Sequence, residues 1–167
     1  MNMMEEGEGF RQAHPVDTIE WVAAARDWSF ERSCEDEIAM SLEGAWTHYS
    51  VSFSWIGSLE ALHLGCAFDL KVPPHRRNEI GHLIALINEK IVIGHFGFWD
   101  SEGAVIYRNS LLLAGGVEAT GAQAEAMLGV AIDQCERFYQ AFQFVIWADK
   151  PAKEALAAAM FDTVGEA

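Results

Sequence analysis

The stretch from Ile93 to Leu113 constrains the fold most strongly, because it predicts two strands joined by a tight turn. Polar and apolar side chains alternate along it, which is the period of a β-strand. Phe96 and Phe98 therefore lie on one face of the first strand. His95 and Trp99 lie on the other. A turn containing glycine separates the halves and lets the second strand fold back, so the stretch predicts a β-hairpin.

The remaining elements are predicted from two periods of apolar side chains, every second residue for a strand and about every 3.6 residues for a helix. Tyr49, Val51, Phe53 and Trp55 alternate with serines, which predicts a half-buried strand, and its neighbours alternate in the same way. The predicted segments are a helix from Pro15 to about Asp27, a possible short strand over Ser29–Ser33, strands over Glu37–Glu43, Trp46–Ile56 and Leu59–Val72, a helix from Pro73 through Ile91, the hairpin, a long helix from Thr120 and a last helix over Ala152–Phe161.

This order predicts an α+β domain with helices on one face of an antiparallel sheet. The sheet consists of a three-strand meander plus the hairpin, in the order α-β-β-β-α-β-β-α-α. A chain of 167 residues that is 51% hydrophobic normally forms one domain with a substantial core. Glu5, Glu6 and Glu8 occupy the place where a secretory signal would carry positive charge, so residues 1–13 are expected to form a flexible acidic tail and residues 14–167 the single domain.

Charge and cysteine content narrow the classes of partner and the compartment. The formal net charge of -14 argues against nucleic acid and anionic membranes, which are bound through lysine and arginine. The longest apolar stretch, Ala122 to Ala148, is interrupted by charged residues and favours an amphipathic helix over a membrane span. Cys34, Cys66 and Cys135 are odd in number and widely spaced, which favours the reducing cytoplasm.

Motifs that could carry chemistry have simpler structural interpretations. His63 and Cys66 are three apart on a predicted strand and therefore point to opposite faces, which disfavours a metal site. Gly115-Gly116 precedes a helix as in a phosphate loop, but no Gly-Lys-Ser or GxGxxG motif accompanies it. The acidic run over residues 35–37 lacks the pattern of a calcium loop. We therefore expect no catalytic residue, cofactor or metal ligand, and the chain is interpreted as a non-enzyme.

A candidate partner-binding surface follows from strand parity. If helices cover the face with the large aromatic residues, the reverse face carries imidazole, indole and guanidinium groups, which are common at binding interfaces. Alternatives are an ordinary solvated face, a face buried in a homodimer, or a histidine metal site if the rings converge. The candidate residues are Trp46, His48, His63, His95, Trp99 and Arg108.

Several short motifs resemble the YbjN family as it occurs in alphaproteobacteria, and the likeness extends from about His14 to the end. They are Pro73–Glu79 (PPHRRNE), Gly94-His95-Phe96, Tyr107-Arg108, Cys135–Gln143 (CERFYQAFQ) and Gly165-Glu166-Ala167. The resemblance implies a fold similar to the small dimeric chaperones of type III secretion. It also implies a role as a sensory transduction regulator without established enzymatic activity, and it transfers no functional residue to this chain.

These lines predict a non-enzymatic, chaperone-like or regulatory domain that binds an unidentified protein client. A homodimer is expected from the resemblance and from large aromatic residues, among them Trp21, Trp28 and Trp147, that one small core does not hide. The alternative is a sensor of small molecules or metals that uses the reverse face. A hydrolase is least favoured, because no G-x-S-x-G motif occurs.

Overall fold

The structure is a computed structural model that describes residues 11–165, with side chains described through Phe161. This part of the chain forms four helices and six strands. The helices are α1 (Pro15–Ala25), α2 (Arg77–Asn88), α3 (Gly121–Trp147) and α4 (Ala152–Gly165). The strands are β1 (Phe30–Cys34), β2 (Glu37–Glu43), β3 (His48–Ile56), β4 (Ala61–Lys71), β5 (His95–Trp99) and β6 (Ala104–Leu112).

The strands form one antiparallel sheet in the order β1-β2-β3-β4-β6-β5. The predicted α+β fold with an antiparallel sheet is confirmed. The structure adds one strand to the predicted order, because β1, anticipated only as a possible strand, pairs with β2 and extends the meander to four strands. β3 begins at His48, two residues after the predicted start at Trp46.

The helices cover one face of the sheet and bury its aromatic side chains. Along β3 every second residue from Tyr49 to Trp55 is buried, as the alternation predicted. Four fully or almost fully buried rings from the sheet and from α3 pack against one another at the centre of the core. They are Phe68, Phe96, Phe138 and Phe142, with ring centroids 5.4 to 6.0 Å apart in the contacting pairs. Burial of this face fixes which side chains are left on the other.

The turn between α3 and α4 is held by residues of the Pro73–Glu79 segment. Arg76 donates from Nε to the Val145 carbonyl (2.8 Å) and from Nη2 to the Lys150 carbonyl (2.8 Å), where helix α3 ends. Glu79 Oε2 accepts from the backbone N–H of Ala152 (2.8 Å), where helix α4 begins. Helix termini leave such backbone groups without partners, so these side chains complete the two ends. This part of the resemblance motif is therefore structural.

The Gly115-Gly116 pair receives a carboxylate from within the chain. Both glycines have positive φ, and their N–H groups donate to Glu60 at 3.3 and 3.2 Å, which is the arrangement of a backbone anion nest. These amides, together with the Arg11 guanidinium at 3.2 Å, hold the pKa of Glu60 below its usual range. The Glu60 side chain thus occupies the loop whose sequence resembles a phosphate-binding loop. Glu60 also pairs with Arg11, a residue within the range 1–13 that was expected to form the flexible tail.

Cys66 and Cys135 come together although they are far apart in sequence. Their sulfur atoms lie 3.7 Å apart between β4 and α3, both fully buried. Cys34 is exposed on β1. His63 lies on the opposite side of β4 from Cys66, as their spacing predicted. None of the helices within residues 11–165 combines the length and hydropathy needed to cross a membrane.

The free edge of β5 is protected by one side chain. Asn88, at the end of α2, donates from Nδ2 to the Phe96 carbonyl (3.0 Å) and accepts from the Phe96 N–H at Oδ1 (2.9 Å). Because β5 is the last strand of the sheet, these backbone groups face away from β6. The amide replaces a neighbouring strand at this position and blocks the pairing with other chains that exposed edges invite.

Asn88→Ala is expected to lower the free energy of unfolding by about 2 kcal/mol, because two partly buried backbone groups lose their hydrogen-bond partner. Urea denaturation measures the change. Asn78→Ala is the matched control, since Asn78 lies exposed on the same helix, and we expect its effect to stay within about 0.5 kcal/mol. Equal effects of the two substitutions would contradict the edge-protecting role.

Candidate binding face of the sheet

The sheet face opposite the helices, here called the open face, is lined mainly by small side chains. Strand parity places on it the serines of β3, Ala61, Gly65 and Ala67 of β4, and Ala104 of β6, with Ile106 of β6 as a larger apolar neighbour. Because small side chains stand only a little above the backbone, a bound chain can approach the sheet closely. The open face therefore has room for a bound polypeptide above its small side chains.

Five of the six predicted site residues project from strands on the open face, and the sixth does not. His48, His63, Arg108, His95 and Trp99 occupy open-face positions in β3, β4, β6 and β5. Trp46, predicted as the first residue of β3, lies instead in the connection before that strand and is 46% exposed. The correction has a local cause, since the chain turns at residues 44–47 with Gly44 N–H bonded to the Thr47 carbonyl (2.8 Å).

The structure brings His63, Arg108 and Ser110 into one hydrogen-bonded cluster. Arg108 Nε lies 3.3 Å from His63 Nε2, and His63 Nδ1 lies 2.9 Å from Ser110 Oγ. Arginine can only donate, so Nε2 is the acceptor and the neutral ring carries its proton on Nδ1, which donates to Ser110. The Ser110 hydroxyl hydrogen and both terminal nitrogens of Arg108 then remain available to a ligand.

His95 completes this cluster from the neighbouring strand. It is the direct cross-strand partner of Arg108, and with His63 it flanks the guanidinium. The cluster lines a cleft of about 440 Å³ whose walls also include the apolar side chains of Ile56, Leu59 and Leu112. A guanidinium with two imidazoles and a hydroxyl in such a cleft suits a carboxylate attached to an apolar group.

A larger trough crosses the middle of the open face. It has a volume of about 530 Å³ and runs from β1 to the β5–β6 end of the sheet. Its floor includes Ala39, Ser52 and Gly65, and Trp99, 53% exposed, stands at one side. Gly65 is the cross-strand partner of Arg108, so the trough and the cleft adjoin. His48 lies near a different depression at the far end of β3, away from the cluster.

The environment of His63 keeps its ring neutral. Partial burial lowers the pKa of His63, and the Arg108 guanidinium and the neighbouring His95 imidazole lower it further. A neutral ring is what allows Nε2 to accept from Arg108. Because the pKa in the folded state lies below that in the unfolded state, the associated stability is present above about pH 6.5 and is lost as the pH falls through the folded-state pKa.

Arg108→Gln is expected to raise the pKa of His63 toward its ordinary value, because the variant removes a neighbouring positive charge. An NMR titration of the histidine side chains measures it. The variant should also lose less stability than the wild type as the pH falls below 6.5. Arg137→Gln, on the exposed side of α3, is the control and should leave the His63 titration unchanged. An unaltered His63 pKa in Arg108→Gln would contradict the described contact.

The arrangement is poorly suited to metal binding. No group of three His, Cys, Asp or Glu side chains in the described part of the chain is placed to hold a metal ion. His63 and His95 face a guanidinium between them, and a second positive charge in that place would be repelled.

Sequence reasoning missed Ser110 and Glu31. Ser110 is two residues after Arg108 on the same strand, so parity alone could have added it to the face. Glu31 lies on β1 at an open-face position opposite Ala39, and the short strand that carries it was only a possibility in the sequence.

The sequence profile of the YbjN family, described as "Putative bacterial sensory transduction regulator", matches residues 15–144. The chain belongs to the YbjN family. No curated protein sequence matches it. The predicted family resemblance is confirmed.

Solved structures show the same fold at low sequence identity. The crystal structure of YbjN from E. coli, called a "putative transcription regulator", is 13% identical and has a TM-score of 0.54, covering 88% of this chain and 93% of that one. A chain of the ExsC-ExsE complex is 19% identical with a TM-score of 0.50, covering 74% and 92%. A chain of the HopA1-SchA chaperone-effector complex is 11% identical with a TM-score of 0.47, covering 81% and 92%. The likenesses to E. coli YbjN and to the ExsC-ExsE chain support the predicted fold.

Proposed function

We propose that this YbjN-family protein binds an extended segment of another protein on its open face, as a chaperone-like or regulatory domain that catalyses no reaction. The observation that carries the proposal is the trough. A floor of small side chains about four strands wide, with an exposed indole at one side, fits a polypeptide better than a flat solvated sheet would. Aromatic and arginine side chains at its margins are the types that anchor protein interfaces.

The comparisons support the same role without identifying the client. The family is described as regulatory, and one solved protein of this fold was crystallised with a protein partner, ExsE. The candidate cluster combines a histidine, an arginine and a serine without a nucleophile–base pair backed by a carboxylate, and this favours binding over catalysis. The cytoplasm, favoured by the cysteine usage, is the compartment we propose for it.

Photocrosslinking tests the proposal directly. A photoreactive amino acid at Ser52, on the trough floor, is expected to crosslink one defined polypeptide in the native host, to be identified by mass spectrometry. The same amino acid at Ala126, exposed on α3, is the control and should not capture that polypeptide. Ala39→Trp fills the trough and should abolish the Ser52 crosslink, whereas Ala126→Trp should not.

The proposal fails if Ser52 and Ala126 capture the same proteins, or if Ala39→Trp leaves the crosslink intact. Circular dichroism and thermal melting of each variant show whether it has folded. Ala39 is exposed and its replacement intrudes on no buried side chain, so a folded variant is expected.

We also propose that the protein is a homodimer. Trp21 and Trp147 are 70% and 66% exposed, while Trp28 packs partly against the core. Large exposed apolar side chains are common where a second subunit covers them. Sedimentation equilibrium at micromolar concentration should give twice the mass of the chain, and a strict monomer would overturn this proposal.

A further inference from the structure

Arg108 is one of two arginines that pair with no carboxylate in the described part of the chain. Five of the seven arginines in the sequence form ion pairs in the structure, whereas Arg108 and Arg137 pair with no carboxylate among the described residues. The five paired residues are Arg11, Arg26, Arg32, Arg76 and Arg77. In a chain of net charge -14, an arginine left unpaired and held in place by a histidine is a marked exception.

Glu31, which lines the trough at β1, carries a charge opposite to that of Arg108 in the adjoining cleft. One row of cross-strand partners crosses the open face from an exposed glutamate on β1 to Arg108 on β6, and it continues to His95 on β5. From β1 to β6, its members are Glu31, Ala39, Ser52, Gly65 and Arg108. Glu31 forms no ion pair with a described residue. Between the two charges lie only small side chains.

The length of this row sets the spacing of what it can bind. Glu31 and Arg108 are separated by four strand-to-strand steps, or about 19 Å at about 4.8 Å per step. An extended polypeptide covers that distance in about six residues at roughly 3.4 Å per residue. The floor over Ser52 and Gly65 has room for one large apolar side chain near the middle of such a segment.

We propose that the open face recognises an extended partner segment with an aspartate or glutamate at Arg108, a lysine or arginine about six residues away at Glu31, and an apolar residue between them. The inference rests on the proposed function and specifies the client's chemistry. The net charge of -14 repels an acidic tract, so a single carboxylate paired with a basic residue is the pattern that fits. Charge placement of this kind fixes register and specificity more than affinity.

Synthetic peptides test this pattern. The probe has seven residues, with lysine first, phenylalanine fifth, aspartate last and serine elsewhere, and with both termini blocked, so that the three specified side chains share one face of the extended peptide. A second peptide has the reverse order, because the structure leaves the direction of the segment open. Isothermal titration calorimetry is expected to show binding of at least one of them to the wild type, with at least tenfold weaker binding when asparagine replaces the aspartate.

Variants assign that difference to the two charges. Arg108→Gln should abolish the tenfold difference between the aspartate and asparagine peptides. A further peptide with glutamine in place of lysine tests the other charge, and Glu31→Gln should abolish the difference in affinity between the lysine and glutamine peptides. Arg137→Gln is the matched control, since Arg137 is also unpaired but lies on α3, and it should bind both peptides as the wild type does. Circular dichroism verifies that each variant is folded.

Three results would overturn the inference: equal binding of the aspartate and asparagine peptides, absence of peptide binding, or binding of succinate as tightly as the peptide, which would indicate a small-molecule site. A change from dimer to monomer in Arg108→Gln would also overturn it, because a second copy would then cover the face. A Ser52 crosslink that persists beside any of the first three results leaves the proposed function standing and rejects only the charge pattern.

Discussion

Replacing Phe142 with alanine is expected to lower the free energy of unfolding by about 4 kcal/mol. Phe142 is fully buried on α3, and its ring lies 5.4 Å from that of Phe68 and 5.6 Å from that of Phe96. The ring therefore joins the helix to two strands that are not neighbours in the sheet. Its removal loses the transfer energy of a phenyl group and leaves a cavity that the surrounding rings cannot fill without breaking their own contacts.

Urea denaturation gives the change in free energy, and a thermal melt should show a decrease of about 10 °C in Tm for a domain of this size. Phe161→Ala provides the control, since Phe161 is 77% exposed on α4 and its loss should cost less than about 0.5 kcal/mol. If the two variants unfold at the same urea concentration, the aromatic cluster is not the centre of the core.

Gly94→Ala is expected to cost about 3 kcal/mol and to disturb the candidate cluster as well. Gly94 has φ of +73°, and an added Cβ would overlap the hydroxyl of Tyr107 and lie 2.7 Å from the Arg108 carbonyl oxygen. The Tyr107 hydroxyl donates to the Ile93 carbonyl (2.6 Å), and burial raises the pKa of Tyr107 to about 12, so the donor keeps its proton. Neither neighbour can yield without moving β6.

The measurements are urea denaturation and the NMR titration of His63, which should change with the backbone of Arg108. Gly97→Ala on the same strand is the matched control. A Cβ at Gly97 would meet no described atom within 4 Å and its φ is not positive, so its effect should be less than about 1 kcal/mol. Similar destabilisation by both substitutions would show that the close approach at Gly94 is unimportant.

Local patterns predicted most of the fold correctly because they depend only on neighbours in sequence. Period-two alternation fixed the buried face of β3, and Thr120 begins α3 through a capping box with Gln123, so that helix starts where it was expected. β1 was harder to predict, because Phe30–Cys34 is short and mostly exposed. Its extended conformation depends on backbone pairing with β2, which the sequence of the segment does not reveal.

The candidate site was predictable only as a face. Parity put His63, His95, Trp99 and Arg108 on one side of the sheet, but a sequence without strand order cannot say which of them meet. The contact of His63 with Arg108 exists because β6 inserts between β4 and β5. Trp46 was misplaced because the turn before β3 extends two residues further than the alternation suggested.

The sequence by itself determined the alternation of side chains along each strand, the helix boundaries near Pro15, Thr120 and Pro151, and the deficit of positive charge. Alternation and helix boundaries depend on consecutive residues, and the net charge is a sum over all residues. Only the tertiary structure decided that Glu60 fills the Gly115-Gly116 nest and that Glu31 and Arg108 lie on one row of cross-strand partners. Such juxtapositions depend on strand order and register, which are set by the packing of the whole core.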